Sequence, residues 1–221
     1  MAFINFANIM IAQNISKIQS EIGTDVQLVV VSKYRTIQEI EAVYATGQRH
    51  FAENRVQALL ERKAQLPSDI HWHLIGHLQS NKVKHIADFI ACIQSVDSED
   101  LLDEVNKHAA KQNRTISCLL QVFIAQEATK FGMDAQMCEH ILDQQSKGKW
   151  PNIKIDGLMG MASLTSDQDQ IKREFMGLKN LFDANKQRYG LSVLSMGMSS
   201  DYVLAIACGS NLIRVGSKIF E

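Results

Sequence analysis

The chain has four cysteines but no CxxC pair, no block of lysine and arginine, no glycine-rich phosphate loop and no apolar run of 18 residues. Each absence excludes something. Cys92, Cys118, Cys138 and Cys208 are scattered, which argues against structural zinc and against a disulfide framework; buried free thiols in a reducing compartment are expected. Twenty-three basic and 24 acidic side chains leave a formal charge of −1, so neither nucleic-acid binding nor a polybasic membrane anchor has an electrostatic footprint. The opening Met1-Ala2-Phe3-Ile4-Asn5-Phe6 lacks the basic segment, apolar core and small-residue cleavage site of a signal peptide, and a soluble, cytoplasmic protein is expected.

At 221 residues, 46% hydrophobic and with two prolines, the chain can build one sizeable core and is expected to form a single domain over 1–221. Strand-like and helix-like periods alternate along it. After an amphipathic helix over 3–22, strands are expected at 28–32, 50–54, 70–76, 91–97, 116–125, 154–161, 193–198 and 212–216. Helices are expected at 36–47, 54–65, 78–87, 98–113, 134–147, 167–189 and 200–208, with Gly47, Asp97 or Ser98, and Gly209 as boundary signals. Eight such rounds in this length indicate an α/β protein, a small (β/α)8 TIM-type barrel with an extra N-terminal helix. The alternative, an open doubly wound sheet, would normally carry a glycine-rich first turn, and Ser32-Lys33-Tyr34-Arg35-Thr36 has none. No full eighth helix fits between the last strand and Glu221, and the opening helix is expected to take over part of its coverage.

Leu28-Val29-Val30-Val31 reads as a buried parallel strand, and alternation puts Lys33 on the face of Val31 and Val29. Burial there would depress the amine's pKa and make it a nucleophile toward a carbonyl or aldehyde cofactor; the alternative is a lysine that snorkels into water. Barrels of this kind hold phosphate in the loops after strands seven and eight. Met196-Gly197-Met198-Ser199-Ser200-Asp201 and Gly216-Ser217 occupy those loops, with serines placed to cap the helix starting near Tyr202 and free N–H groups to receive an anion; ordinary capping is the competing reading. Arg214, two residues before Gly216, points into the same interior. It either faces a cofactor ring nitrogen, leaving a weaker electron sink than an acid would, or pairs with a carboxylate such as Glu53. Asn54 reaches a cofactor or caps the next helix. His71 and His73 share a face, but no third ligand of fixed spacing follows, so no metal is expected. Gly197-Met198-Ser199-Ser200-Asp201 is not a GxSxG elbow, and no histidine follows it, which sets serine hydrolase chemistry aside.

Six ordered motifs then carry a family resemblance over nearly the whole chain: Val31-Ser32-Lys33; Phe51-Ala52-Glu53-Asn54; His73-Leu74-Ile75-Gly76 with Leu78-Gln79-Ser80-Asn81-Lys82; Gly157-Leu158-Met159; Leu194-Ser195-Met196-Gly197-Met198-Ser199 with Asp201; and Ile213-Arg214-Val215-Gly216-Ser217 with Ile219-Phe220. Together they resemble the pyridoxal phosphate homeostasis protein family. The resemblance implies the fold of the alanine racemase N-terminal domain, a single fold-type III barrel. It implies that Lys33 forms the Schiff base with pyridoxal 5'-phosphate, that Arg214 faces the pyridine nitrogen, that Ser199, Gly216 and Ser217 hold the phosphate, and that Asn54 and Met159 line the ring. A monomer that sequesters the cofactor and passes it to apo-enzymes, with no catalytic residues and no reaction of its own, is the expected function. Two alternatives are a small-barrel amino-acid racemase and a phosphosugar enzyme whose Lys33 condenses with substrate. Racemisation needs an opposing acid/base, normally a tyrosine from another domain, and Tyr34, Tyr44, Tyr189 and Tyr202 fall in helical or loop segments. Three positions depart from the family pattern: Ala52 for a glycine, His77 for a proline, and Arg35 for a second lysine.

Overall fold

The computed structural model describes residues 6–126 and 131–221, with side chains from residue 8 onward in the first helix. It opens with α1 (Phe6–Ile22) and then winds β1 (Gln27–Val31), α2 (Ile37–Ala45), β2 (His50–Glu53), α3 (Val56–Gln65), β3 (His71–Leu74), a 3-10 helix (Ser80–His85) and β4 (Cys92–Val96). The second half continues with α4 (Glu99–Lys111), β5 (Ile116–Gln121), α5 (Ala135–Ser146), β6 (Ile153–Met159), α6 (Gln168–Tyr189), β7 (Val193–Ser195), α7 (Tyr202–Ala207), β8 (Leu212–Val215) and α8 (Ser217–Phe220). The strands close into one parallel barrel in chain order, β8 pairing with β1 through Val29↔Arg214 and Val30↔Val215. Closure leaves no sheet edge.

Alternation along the strands builds two cores. Leu28, Val30, Phe51, Ile93, Leu158, Ile213 and Val215 face outward into the main layer between barrel and helices, while Val29, Val31, Ala52 and Leu212, with Cys92, Leu119 and Met159, face the axis. Fully burying one aliphatic side chain contributes about 1.5–3 kcal/mol, so each strand is secured from both sides. Helix starts are set locally: Thr36 and Glu39 form a capping box on α2, Ser98 caps α4 through the Leu101 N–H, and Asp167 receives the N–H groups of Asp169 and Gln170 on α6, which ends at left-handed Gly190.

The expected order of elements is present, with local differences. The helix expected at 78–87 is a single 3-10 stretch, strand β5 ends at Gln121 rather than 125, and β7 ends at Ser195 because Gly197 takes φ +92°. After β8 the chain still makes one helical turn, α8. Helix α1 packs against both α2 and α8, and Asn14 Nδ2 donates to the Ile219 carbonyl at 3.0 Å, so the opening helix covers the place of a full eighth one. Residues 3–5 of the expected opening helix lie outside the described residues. All four cysteines are buried and unpaired. Among the described residues no helix is long and apolar enough to cross a membrane.

Candidate functional site

A cavity of about 520 Å³ opens at the C-terminal mouth of the barrel, and six of the seven residues singled out in the sequence line it: Lys33, Asn54, Ser199, Arg214, Gly216 and Ser217. The seventh, Met159, is fully buried beside Cys92 and Leu119 one layer deeper, and Met161, two residues nearer the mouth on the same face, forms the wall instead.

Strand β1 ends at Val31, so Lys33 stands beyond it and is exposed. The expectation of a desolvated amine is corrected accordingly: Val31 is the apolar floor, and the lysine reaches over it from an open rim. Its loop is nevertheless pinned. Arg35 N–H donates to the Ser32 carbonyl at 3.1 Å, Arg62 Nη2 donates to the Arg35 carbonyl at 2.5 Å, and the Arg35 guanidinium pairs with Glu221 at 2.5 Å. Arg35 thereby ties the rim after β1 to Glu221. Tyr34 takes φ +65°, a conformation rare for a residue with a Cβ, and exposes its ring at the cavity edge.

Asn54 follows β2 and depends on Gly76. A Cβ at Gly76 would stand 2.2 Å from the Asn54 carbonyl oxygen, and the Ser95 hydroxyl holds the Gly76 carbonyl at 2.6 Å. Asn54 does not cap α3, whose N-cap is Arg55 without a side-chain bond.

The loops after β7 and β8 meet through Ser199. Its hydroxyl does not cap α7; the N-cap residue of that helix is Asp201, whose carboxylate accepts the Met198 N–H at 2.6 Å. Ser199 Oγ accepts the N–H of Gly216 at 3.2 Å and that of Lys218 at 3.5 Å. Two backbone donors thus converge on one oxygen at the cavity wall.

Arg214 is 3% exposed, and its pairing with Glu53 is not what the structure contains. Nη1 donates to the Ser195 carbonyl at 3.0 Å and to the Ser195 hydroxyl, and Nη2 donates to the Gly160 carbonyl at 3.1 Å. Burial lowers its pKa to about 10, opposed by the charge of Asp201, so the guanidinium stays charged at neutral pH. Glu53 turns outward instead, accepting the Ser32 hydroxyl at 2.8 Å and lying 3.6 Å from Arg62.

His71 and His73 do not converge as a metal pair: His71 stacks on His50 at 4.8 Å, while His73 faces Gln94 and His50 inside the barrel. Among the described residues no group of three or more histidine, cysteine, aspartate or glutamate side chains could hold a metal ion. His77 pairs with Asp97 at 3.1 Å and stacks on Phe131 at 4.6 Å. Ala52 lies in the apolar interior, outside the cavity lining. Sequence reasoning passed over Tyr34 and Arg35 as wall residues, whereas Met161, at the end of the Gly157-Leu158-Met159-Gly160-Met161 segment that reads as able to flank a ring, does line the cavity. Nothing local foretells that the rim loop brings Tyr34 to the edge.

The arrangement, a closed parallel barrel with a lysine rim, a buried arginine and two backbone donors at one mouth, has a known class. Residues 9–221 match the model of the alanine racemase N-terminal domain. Alanine racemase from Clostridium difficile shares the fold at TM-score 0.75 and 11% identity, this chain covering 56% of it. More specific relatives follow. The pyridoxal phosphate homeostasis protein of Helicobacter pylori is 38% identical over 198 residues, 89% of this chain and 87% of that one. PipY of Synechococcus elongatus, solved with PLP bound, is 35% identical at TM-score 0.87, the match covering 96% of this chain and all of PipY. The chain belongs to the pyridoxal phosphate homeostasis protein family.

Proposed function

We propose that the protein binds pyridoxal 5'-phosphate at the C-terminal mouth of the barrel, holds it reversibly and releases it to apo-enzymes, as a monomer without a metabolic reaction of its own. The observation that carries the reading is the convergence on one 520 Å³ cavity of Lys33, the buried Arg214 and the Ser199–Gly216 contact, in a family with a PLP-bound relative. The donor set fits the cofactor. When bound, PLP supplies an aldehyde that condenses with a primary amine and a ring that withdraws electrons. Lys33 is the amine at the rim, and its condensation with the aldehyde releases water. The Ser199 hydroxyl with the N–H groups of Gly216, Ser217 and Lys218 forms the phosphate end. Arg214, a permanent donor, is the partner for the ring nitrogen, and Asn54 and Met161 flank the ring with Met159 beneath.

An exposed lysine suits a carrier. A fully desolvated site would hold the aldehyde tightly, whereas a rim amine open to water and to other amines allows the cofactor to leave. The test is reconstitution with PLP followed by borohydride: a visible absorption band should appear, and peptide mapping should find the reduced adduct on Lys33. Recovery of the adduct on Lys82 or Lys130 alone, the latter outside the described residues, would overturn the assignment.

A further inference from the structure

Barrel interiors of this type are ordinarily filled by layers of branched apolar side chains. Here a polar row crosses the interior. Arg214 Nη1 donates to Ser195 Oγ, Ser195 Oγ donates to Gln94 Oε1 at 2.8 Å, Gln94 Nε2 lies 3.0 Å from His73 Nδ1, and His73 Nε2 lies 3.1 Å from His50 Nδ1. Ser195 and Gln94 are inaccessible to solvent and His73 is 5% exposed. The five residues come from β8, β7, β4, β3 and β2. They run from the cavity at one mouth to a separate cavity of about 220 Å³, bordered by His50 and His71, where β2 and β3 begin.

The row has a direction. A guanidinium only donates, so the Ser195 hydroxyl must accept from Arg214, and its single proton is left for Gln94 Oε1. That orients the amide with Nε2 toward His73, so His73 Nδ1 must be the acceptor and its proton must sit on Nε2, donating to His50 Nδ1. Burial brings the pKa of His73 down to about 3, which keeps the ring a neutral acceptor at ordinary pH. Read from the other end, His73 fixes the Gln94 amide, the amide takes the hydroxyl proton, and the hydroxyl is left with its lone pairs toward the arginine.

We propose that Gln94 and His73 are positioning residues of the cofactor site, which lock the Ser195 hydroxyl as an acceptor and thereby hold the Arg214 guanidinium in the orientation that faces bound PLP. The inference rests on PLP occupying the mouth cavity. It assigns a role to the polar interior: without an oriented acceptor, Nη1 keeps only the Ser195 carbonyl, and the guanidinium is freer to turn away from the ring.

Two measurements test it. In apo-protein labelled with ¹⁵N-histidine, His73 should show a protonated Nε2 and an unprotonated Nδ1; the opposite tautomer overturns the proposal without any variant. PLP titration of His73→Phe, which removes the acceptor, and of Gln94→Met, which keeps length without hydrogen bonds, should give about tenfold weaker binding, the loss of about 1.4 kcal/mol, and a shifted visible band. His73→Asn, whose carbonyl can replace Nδ1, should restore wild-type binding to within about threefold. No uptake of PLP by the wild type would overturn the reading of the cavity. Uptake by the wild type with affinity and spectrum unchanged in both His73→Phe and Gln94→Met would overturn the positioning role alone.

Discussion

Ser199 and Gly216 join the two loops that close the barrel mouth: the serine hydroxyl accepts the glycine N–H at 3.2 Å and shares itself with Lys218 N–H at 3.5 Å. If the phosphate binds at this mouth as proposed, these N–H groups and the Ser199 hydroxyl are its donors. Charge-assisted hydrogen bonds are worth roughly 1.5–3 kcal/mol each, and two of them correspond to at least about 10²-fold in affinity. Pyridoxal without its phosphate should therefore bind at least about 10²-fold more weakly than PLP. Ser199→Asp should place a like charge against the phosphate and weaken PLP binding while the melting temperature holds, since the residue is only half-buried at the mouth. Titrating both vitamers into both proteins checks this; equal affinities, or an unaffected variant, would place the phosphate elsewhere.

The approach of Gly76 to Asn54 leads to a second expectation. A Cβ 2.2 Å from a backbone oxygen cannot be accommodated by a rotamer change, so one of the two loops must move. Overpacking of this kind costs about 1–3 kcal/mol. Gly76→Ala should lower stability in urea unfolding by that order and should weaken PLP binding as well, because the displaced residue lines the cavity. A variant as stable as the wild type would mean that the rim relaxes freely.

The barrel was legible because its signals are local. Runs such as Leu28-Val29-Val30-Val31 announce buried strands, and Thr36, Ser98 and Asp167 announce helix starts, so strand ends fall within one to four residues of expectation. The motifs located the mouth cavity for the same reason, since each lies at a strand end. What was not legible depends on contacts between distant residues. Alternation alone placed Lys33 inside, yet its exposure follows from where the β1–β8 and β1–β2 ladders stop. Ser199 reads as an anion-site residue with helix capping as the competing role, and in the structure it bonds Gly216 seventeen residues away rather than capping its own helix. For Arg214 the sequence offers a cofactor ring nitrogen or, as the alternative, a carboxylate such as Glu53, while the protein partners in the structure are a hydroxyl and carbonyls; the Gln94–His73 pair was hidden because nothing in Cys92-Ile93-Gln94-Ser95 foretells a histidine opposite.

Glu53 gives a pH dependence whose sign can be worked out. Burial raises its pKa above 4.5, outweighing the lowering by the Ser32 hydroxyl and by Arg62. The folded chain therefore holds this proton more tightly than the unfolded chain, so stability falls as pH rises from about 4.5 through the raised folded-state value. Glu53→Gln removes that titration. Urea unfolding of both proteins between about pH 4.5 and about pH 8 should show the variant gaining on the wild type as pH rises, then running parallel. A variant that loses ground with rising pH would mean that the Arg62 ion pair dominates.

The last expectation concerns turnover. Of the four tyrosines, Tyr34 alone lines the cavity; Tyr202 is buried against Glu21 and Lys218, and Tyr44 bonds Asp69. An acid/base pair for racemisation must flank the cofactor from opposite faces. Tyr34 follows Lys33 directly on one rim loop, its ring centroid 5.9 Å from the lysine Nζ, so the two stand together on one rim of the cavity. With its pKa at about 10, Arg214 remains a cation; facing the ring nitrogen as proposed, it would donate to that nitrogen without protonating it and so weaken the electron sink. PLP-loaded protein should therefore racemise or decarboxylate free amino acids at well below about 1 s⁻¹, the low end of ordinary enzymes. Chiral analysis of a panel of amino acids after prolonged incubation measures this. Turnover above that threshold that is lost in Tyr34→Phe, with PLP uptake retained, would make the protein a small-barrel racemase with Tyr34 as its second base.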